Sequence, residues 1–131
     1  MTKNTPELFD TCILIDYLSG VPGAKDEFEA ATEPAISHIT WIEVMVGVMP
    51  GSEAATRRFL GRFQVFELNV PVGERAVSVR QGKVPGLAKK PKLPDAIIMA
   101  SAAENSRVLV TRNTKDFSAA TPGVRIPAYS V

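Results

Sequence analysis

The chain reads L-F-D-T-C-I-L-I-D-Y-L over residues 8–18, with two aspartates, Asp10 and Asp16, in an otherwise apolar run. A carboxylate in such surroundings is costly to bury unless it is paired, protonated or bound to a cation. Residues 7–9 read as the end of a short first strand, and residues 12–18 as a helix stopped near Ser19-Gly20 and Pro22-Gly23. Asp10 therefore falls directly after a strand. In open α/β sheets, sites lie at the carboxyl ends of the strands.

The alternation continues along the chain. Helices are predicted over residues 25–31, 39–48, 53–63, 72–83 and 94–104, and strands over 34–37, 65–68 and 108–110, with a last one near Ile126. The strands are too short and too hydrophobic to face water. That pattern predicts an α/β layered fold with a short, mostly parallel central sheet. At 131 residues, with 45% apolar and 22% charged residues, the chain is expected to be one soluble domain, 1–131, with one core. Cys12, the single cysteine, excludes an internal disulfide and fits a reducing compartment. No apolar run approaches the ~20 residues that span a membrane. The N-terminal stretch is too short and polar before its first carboxylate to be a signal peptide. A cytoplasmic protein without membrane association is expected.

Charge is unevenly spread. Residues 1–53 carry two bases, Lys3 and Lys25, against nine acids, whereas residues 54–92 carry nine bases against Glu67 and Glu74. Such asymmetry makes a basic face for polyanions if folding keeps the blocks apart, and nothing if it intermixes them.

Four acids stand out by context: Asp10, Glu43 in I-T-W-I-E-V-M-V-G, Asp95 after Pro94, and Asp116 in T-R-N-T-K-D-F after the V-L-V strand. Pro94 favours the first helical position and puts Asp95 in the first turn, where the helix dipole favours a negative charge. Glu43 is the sole charge in a long apolar helix, and a Glu that points inward needs a partner. Carboxylates converging at strand ends repel one another and need a divalent cation to stay ionised at neutral pH. Oxygen-only donors suit Mg²⁺ or Mn²⁺. A zinc site is excluded for want of ligands: the lone histidine, His38, and Cys12 fall in no recognisable pair, and His38 is expected to pack or cap a helix. There is no Ser-His-Asp arrangement and no phosphate-binding glycine motif.

Taken together, F-D-T-C-I-L-I-D-Y-L, S-H-I-T-W-I-E-V-M-V-G, L-P-D-A-I-I-M-A-S-A-A and V-L-V-T-R-N-T-K-D-F, in this order, resemble a PIN-domain ribonuclease. The subgroup is that of VapC toxins of type II toxin–antitoxin systems, with their FitB-like relatives. The resemblance implies a three-layer α/β/α fold and a Mg²⁺- or Mn²⁺-dependent endoribonuclease. By it, Asp10 and Asp95 are the main metal ligands, and Glu43 helps hold the metal or its water. Some relatives carry an aspartate where Asn113 stands here, so the fourth acidic place falls to Asp116. Thr111 offers a hydroxyl to a ligand. Cys12 stands where many relatives have asparagine or serine, and is read as a small packed residue. The resemblance also implies a homodimer and a VapB-like antitoxin whose basic tail competes for the carboxylates.

Lys83, Lys89, Lys90 and Lys92 flank a Pro/Gly loop leading to Asp95, and Arg112 lies beside the other end of the site. They are read as contacts for RNA phosphates, the alternative being a solvated loop. A haloacid-dehalogenase-like phosphatase would need a second aspartate two positions after Asp10, where Cys12 stands. A non-catalytic PIN module binding RNA or protein is the other rival, and would have shed acids that this chain keeps. Asp16, six residues beyond Asp10, is turned roughly 120° away at ~100° per residue and is expected on a solvated face.

Overall fold

The computed structural model describes residues 6–131; Lys3 and the rest of the polar start, residues 1–5, lie outside the described residues. Five strands, β1 (Glu7–Phe9), β2 (Ala35–Ser37), β3 (Gln64–Phe66), β4 (Val108–Val110) and β5 (Val124–Arg125), form one sheet in the order β3-β2-β1-β4-β5. Every pairing is parallel. The helices are α1 (Thr11–Leu18), α2 (Pro22–Ala30), α3 (His38–Val46), α4 (Glu53–Leu60), α5 (Val70–Arg80) and α6 (Leu93–Glu104).

The strand residues are apolar on both sides because both faces of the sheet are covered. Phe9, Ile36 and Val110 point to one face and pack with Ile13, Leu14, Phe28, Val44, Phe59 and Phe63 from the α1–α4 side. Leu8, Leu109 and Val124 point to the other and pack with Val79, Ile98, Met99 and Phe117. The result is a three-layer α/β/α sandwich. Register is fixed by this division: Leu8 pairs with Leu109 and Phe9 with Val110. A slip of one residue would send each large side chain to the wrong layer.

The chain winds outward from β1 through β2 to β3, then returns across the sheet to β4 and β5. The reversal falls between β1 and β4, the position at which open α/β sheets commonly place their sites, outside the carboxyl ends of the strands. Asp10 follows β1 and Thr111 follows β4. The Asp10 amide donates across the gap to the Val110 carbonyl at 2.9 Å.

Element order agrees with the sequence reading, and boundaries differ by a few residues. α2 starts at Pro22, not at residue 25, because Pro22 takes the start of the helix. Two expectations are corrected. His38 neither packs inside nor caps: it is exposed, Ser37 caps α3, and the His38 ring lies 6.1 Å from Trp41. Asp16 is not on a solvated face but 7% exposed, while Ile15 and Leu18 of the same helix are 43% and 44% exposed. Arg112 donates to it from Nε at 2.5 Å and Nη2 at 2.8 Å, and the Tyr129 hydroxyl donates at 2.6 Å. Helix periodicity could not show this, because both donors come from nearly a hundred or more residues downstream.

Candidate active site

Asp10 caps α1: its Oδ1 accepts from the Thr11 amide at 2.7 Å. Its Oδ2 accepts from Thr111 Oγ1 at 2.6 Å and from the Cys12 thiol at 3.7 Å. The side chain is 4% exposed. Burial raises its pKa above the usual carboxylate range; the hydrogen bonds from Thr111, Thr11 and Cys12 offset part of this, and the Glu43 charge adds to it. Burial and the Asp10 charge likewise push the Cys12 thiol up to about 11, so it is a neutral neighbour and no thiolate.

Glu43 is exposed on α3 and leans over the start of α1, where its Oε1 accepts from Thr11 Oγ1 at 2.7 Å. Thr11 Oγ1 also lies 2.9 Å from Thr40 Oγ1. Asp95 is half-buried in the first turn of α6. Its pKa is pushed up to about 7, first by burial, then by the charges of Asp10 and Asp116, with Glu43 behind them. The favourable dipole at the helix start is outweighed by burial, together with this crowd of like charges.

Asp116 is 4% exposed. Asn113 Nδ2 donates to its Oδ2 at 3.1 Å, while its buried Oδ1 has no hydrogen-bond partner and faces Lys89 Nζ at 3.7 Å. Asn113 thus holds the neighbouring acid, and its amide also donates to Thr111 Oγ1 at 2.9 Å. Thr111, fully buried, links Asp10 to the turn that carries Asp116. Among the described residues, no three carboxylate, imidazole or thiol groups are drawn close enough together to hold a metal ion as they stand. The four acids lie within electrostatic reach of one another: Asp95 feels Asp10, Asp116 and Glu43, and Asp10 feels Glu43.

The basic residues divide. Lys83, Lys89, Lys90 and Lys92 are all exposed between α5 and α6. That loop is fastened to the Asp116 turn: the Ala88 amide donates to the Asp116 carbonyl at 3.1 Å, and Thr121 Oγ1 donates to the Gly86 carbonyl at 2.5 Å. Gly86 is needed there twice over, since its φ is +78° and a Cβ would lie 2.7 Å from the Ala120 carbonyl oxygen. Lys89 is brought to the acids. Lys83 instead lines a shallow depression with Arg75 and Glu104, at the other end of α6 from Asp95. Arg112 is turned onto Asp16, with two of its donors committed there. Sequence reasoning missed Thr11 as the holder of Glu43, although its place directly after Asp10 was a signal. It also missed Tyr129, for which there was none.

Residues 8–121 match the PIN domain family, and the chain belongs to that family. Solved structures that share its fold include chains of toxin–antitoxin complexes. A chain of a toxin–antitoxin complex from Klebsiella pneumoniae is 46% identical, with a TM-score of 0.84, over 95% of this chain and 99% of that one. A chain of DNA-bound VapBC from Salmonella typhimurium shares the fold at 22% identity and a TM-score of 0.72, over 92% of this chain and 95% of that one. VapBC2 from Rickettsia felis, bound to a DNA fragment from its promoter, does so at 20% identity and 0.66, over 83% and 88%. No curated protein sequence gives a significant match. No helix among the described residues is long and apolar enough to cross a membrane.

Proposed function

We propose that this chain is the toxin of a type II toxin–antitoxin pair and acts as a Mg²⁺- or Mn²⁺-dependent endoribonuclease. The observation that carries the reading is the unbalanced charge at the switch point. Asp10, Glu43 and Asp116 all act on the charge of Asp95, Asp116 Oδ1 is buried without a hydrogen-bond donor, and Asp95 is pushed to about 7. The donors are all carboxylate or hydroxyl oxygens, and the one thiol is held protonated, so the set fits a hard divalent cation.

Asp10 and Asp95 would hold the ion, with Glu43 and Asp116 completing its acidic surroundings. When bound, it would supply charge neutralisation for a phosphodiester and activation of water. The chain's own residues keep the acids aimed. Thr111 fixes Asp10 Oδ2, Thr11 fixes Glu43 Oε1, and Asn113 takes Asp116 Oδ2, which leaves Oδ1 without a hydrogen-bond donor. Lys89 stands beside the acids, with Lys90 and Lys92 on the same loop, to meet RNA phosphates.

A homodimer and a VapB-like antitoxin are the partners. The resemblance to a chain from a toxin–antitoxin complex supports the antitoxin, and the exposed Val46, Met49 and Val70 leave apolar surface for protein contacts. The test is RNA cleavage in Mg²⁺, Mn²⁺ and EDTA by the wild type, Asp10→Asn and Asp95→Asn. Cleavage is expected only for the wild type with metal. Cleavage that survives both substitutions overturns the site, and metal-stimulated binding without cleavage favours a non-catalytic module.

A further inference from the structure

The segment from 122 onward lies beyond the residues that match the family, yet one of its side chains reaches toward the site. Tyr129 donates its hydroxyl to Asp16 Oδ2 at 2.6 Å, the oxygen that also takes Arg112 Nε at 2.5 Å. The guanidinium lies 5.8 Å from the Tyr129 ring centre. That ring is pressed against α2 so closely that a Cβ on Gly23 would fall 2.1 Å from Tyr129 Cβ. Arg112 is therefore gripped between a buried carboxylate and a ring that cannot shift toward α2. A two-pronged Arg–carboxylate pair fixes geometry as well as charge.

Arg112 is flanked by the two residues that hold the β4-side acids. Thr111 donates to Asp10 at 2.6 Å, and Asn113 donates to Asp116 at 3.1 Å. The Thr111 amide is itself tied to the Arg125 carbonyl at 3.2 Å, on β5. Three consecutive residues thus carry an anchor in the middle and a site-holding side chain at each end. Rotation of the backbone at Arg112 would move both holders at once.

We infer that Asp16, Arg112 and Tyr129 form a positioning clamp for the acidic site: by fixing Arg112 they fix the turn that aims Thr111 at Asp10 and Asn113 at Asp116. The inference rests on the metal-centre reading above. It gives the second aspartate of the opening stretch a role in the same site as the first, by way of a tyrosine 113 residues away. Groups that orient ligands from behind are commonly worth ~10- to 100-fold in metal affinity or activity, and a misplacement of about 1 Å can cost ~100-fold in rate.

The experiment compares Mn²⁺ affinity by calorimetry, kcat and KM on RNA, and melting temperature for the wild type, Tyr129→Phe, Asp16→Asn and Arg112→Lys. Tyr129→Phe keeps the ring against Gly23 and removes only the hydroxyl, so it carries the test should the other two fail to fold. Mn²⁺ affinity is expected to fall about 3-fold in Tyr129→Phe and about 10-fold in Asp16→Asn and Arg112→Lys. kcat falls in step, with KM for RNA unchanged. In the metal-free protein, the amide resonances of residues 111–116 shift in all three. If only the melting temperature falls, while folded protein keeps wild-type Mn²⁺ affinity and kcat, the residues merely hold the tail and the inference is overturned. A raised KM with unchanged kcat and Mn²⁺ affinity makes Arg112 an RNA contact and overturns it too. A wild type that binds no Mn²⁺ overturns the metal-centre reading, and the clamp's purpose with it.

Discussion

Asp10 and Asp16 stand six residues apart at the start and in the body of the same short helix, and both are buried, at 4% and 7% exposure. Their surroundings are opposite. Asp16 receives two bonds from a guanidinium and one from a phenol. Burial raises its pKa, but the bonds from Arg112 and Tyr129, together with the Arg112 charge, outweigh burial and hold it below the usual range. Asp10 receives only neutral donors, an amide, a hydroxyl and a thiol, and its pKa stays raised. Asp95 and Asp116 share that shortage: among the described residues, Asp95 has no ion pair and Asp116 has only an exposed lysine at 3.7 Å. A buried acid with a full set of charged donors is a structural element. A group of crowded acids without one is a store of unfavourable charge that an added cation would relieve, and the fold keeps it beyond the carboxyl ends of β1 and β4.

The largest effect should come from exchanging the two for asparagine. Asp10→Asn keeps the helix cap, because Asn caps as well as Asp, and removes a buried charge. Cleavage of RNA is expected to fall at least about 100-fold, since even an outer residue behind a ligand is worth ~10- to 100-fold. The melting temperature in EDTA should be no lower than that of the wild type. Asp16→Asn should do the reverse to stability. It strands Arg112 beside a neutral amide, at a cost of roughly 1–3 kcal/mol once the solvent reaching Arg112 is allowed for. Thermal unfolding of both variants in EDTA is the check. The contrast breaks if Asp10→Asn proves the less stable of the two.

A second effect concerns pH. Asp95 has a folded-state pKa of about 7 against an ordinary aspartate value of 3.8, so between those values the folded chain holds a proton that the unfolded chain has lost. Its contribution to stability is whole below about pH 4 and is lost as pH rises through about 7. The raised pKa of Asp10 acts in the same direction. In EDTA the melting temperature should therefore decline over that window. With Mn²⁺ the trend should reverse, because the cation binds the deprotonated acids. At 100 times its Kd it would add about 2.7 kcal/mol. Asp95→Asn should flatten both curves. A metal-free melting temperature that climbs steadily from about pH 4 to 7 would contradict the crowding of charge described here.

How much of this was legible in the sequence follows the range of the forces. Strand and helix order came from local periodicity, and the covering of both sheet faces came from strands too apolar to face water. Asp10 and Asp95 were visible because their settings are local: one ends a strand, the other follows a proline at a helix start. Asp16 was misread because an angle around a helix gives direction but not what lies in that direction. The exposure of Ile15 and Leu18 beside a buried aspartate reverses the usual rule, and only the arrival of Arg112 and Tyr129 makes it affordable. The pairing of Arg112 with Asp16 was hidden for the same reason: a basic residue beside a predicted site looks free until its partner is known. The joining of the basic loop to the Asp116 turn also lay beyond local pattern, resting on Gly86 and Thr121 meeting 35 residues apart.

The smallest expected effect separates two lysines that look alike in the sequence. Lys89 is 58% exposed and faces Asp116, whereas Lys83 lies by Arg75 and Glu104. With an RNA analogue that cannot be cleaved, which keeps all four acids in place, the dependence of its affinity on salt should fall by about 0.7 in log–log slope for Lys89→Gln and stay unchanged for Lys83→Gln. The Lys89 effect should be larger with Mg²⁺ than with EDTA. Without a cation, Lys89 is drawn toward Asp116 Oδ1; once the acids are neutralised, its ammonium is released to a phosphate. Equal slopes for the two variants would mean that the basic block acts only through its total charge, and that its attachment to the acidic turn has no part in holding RNA.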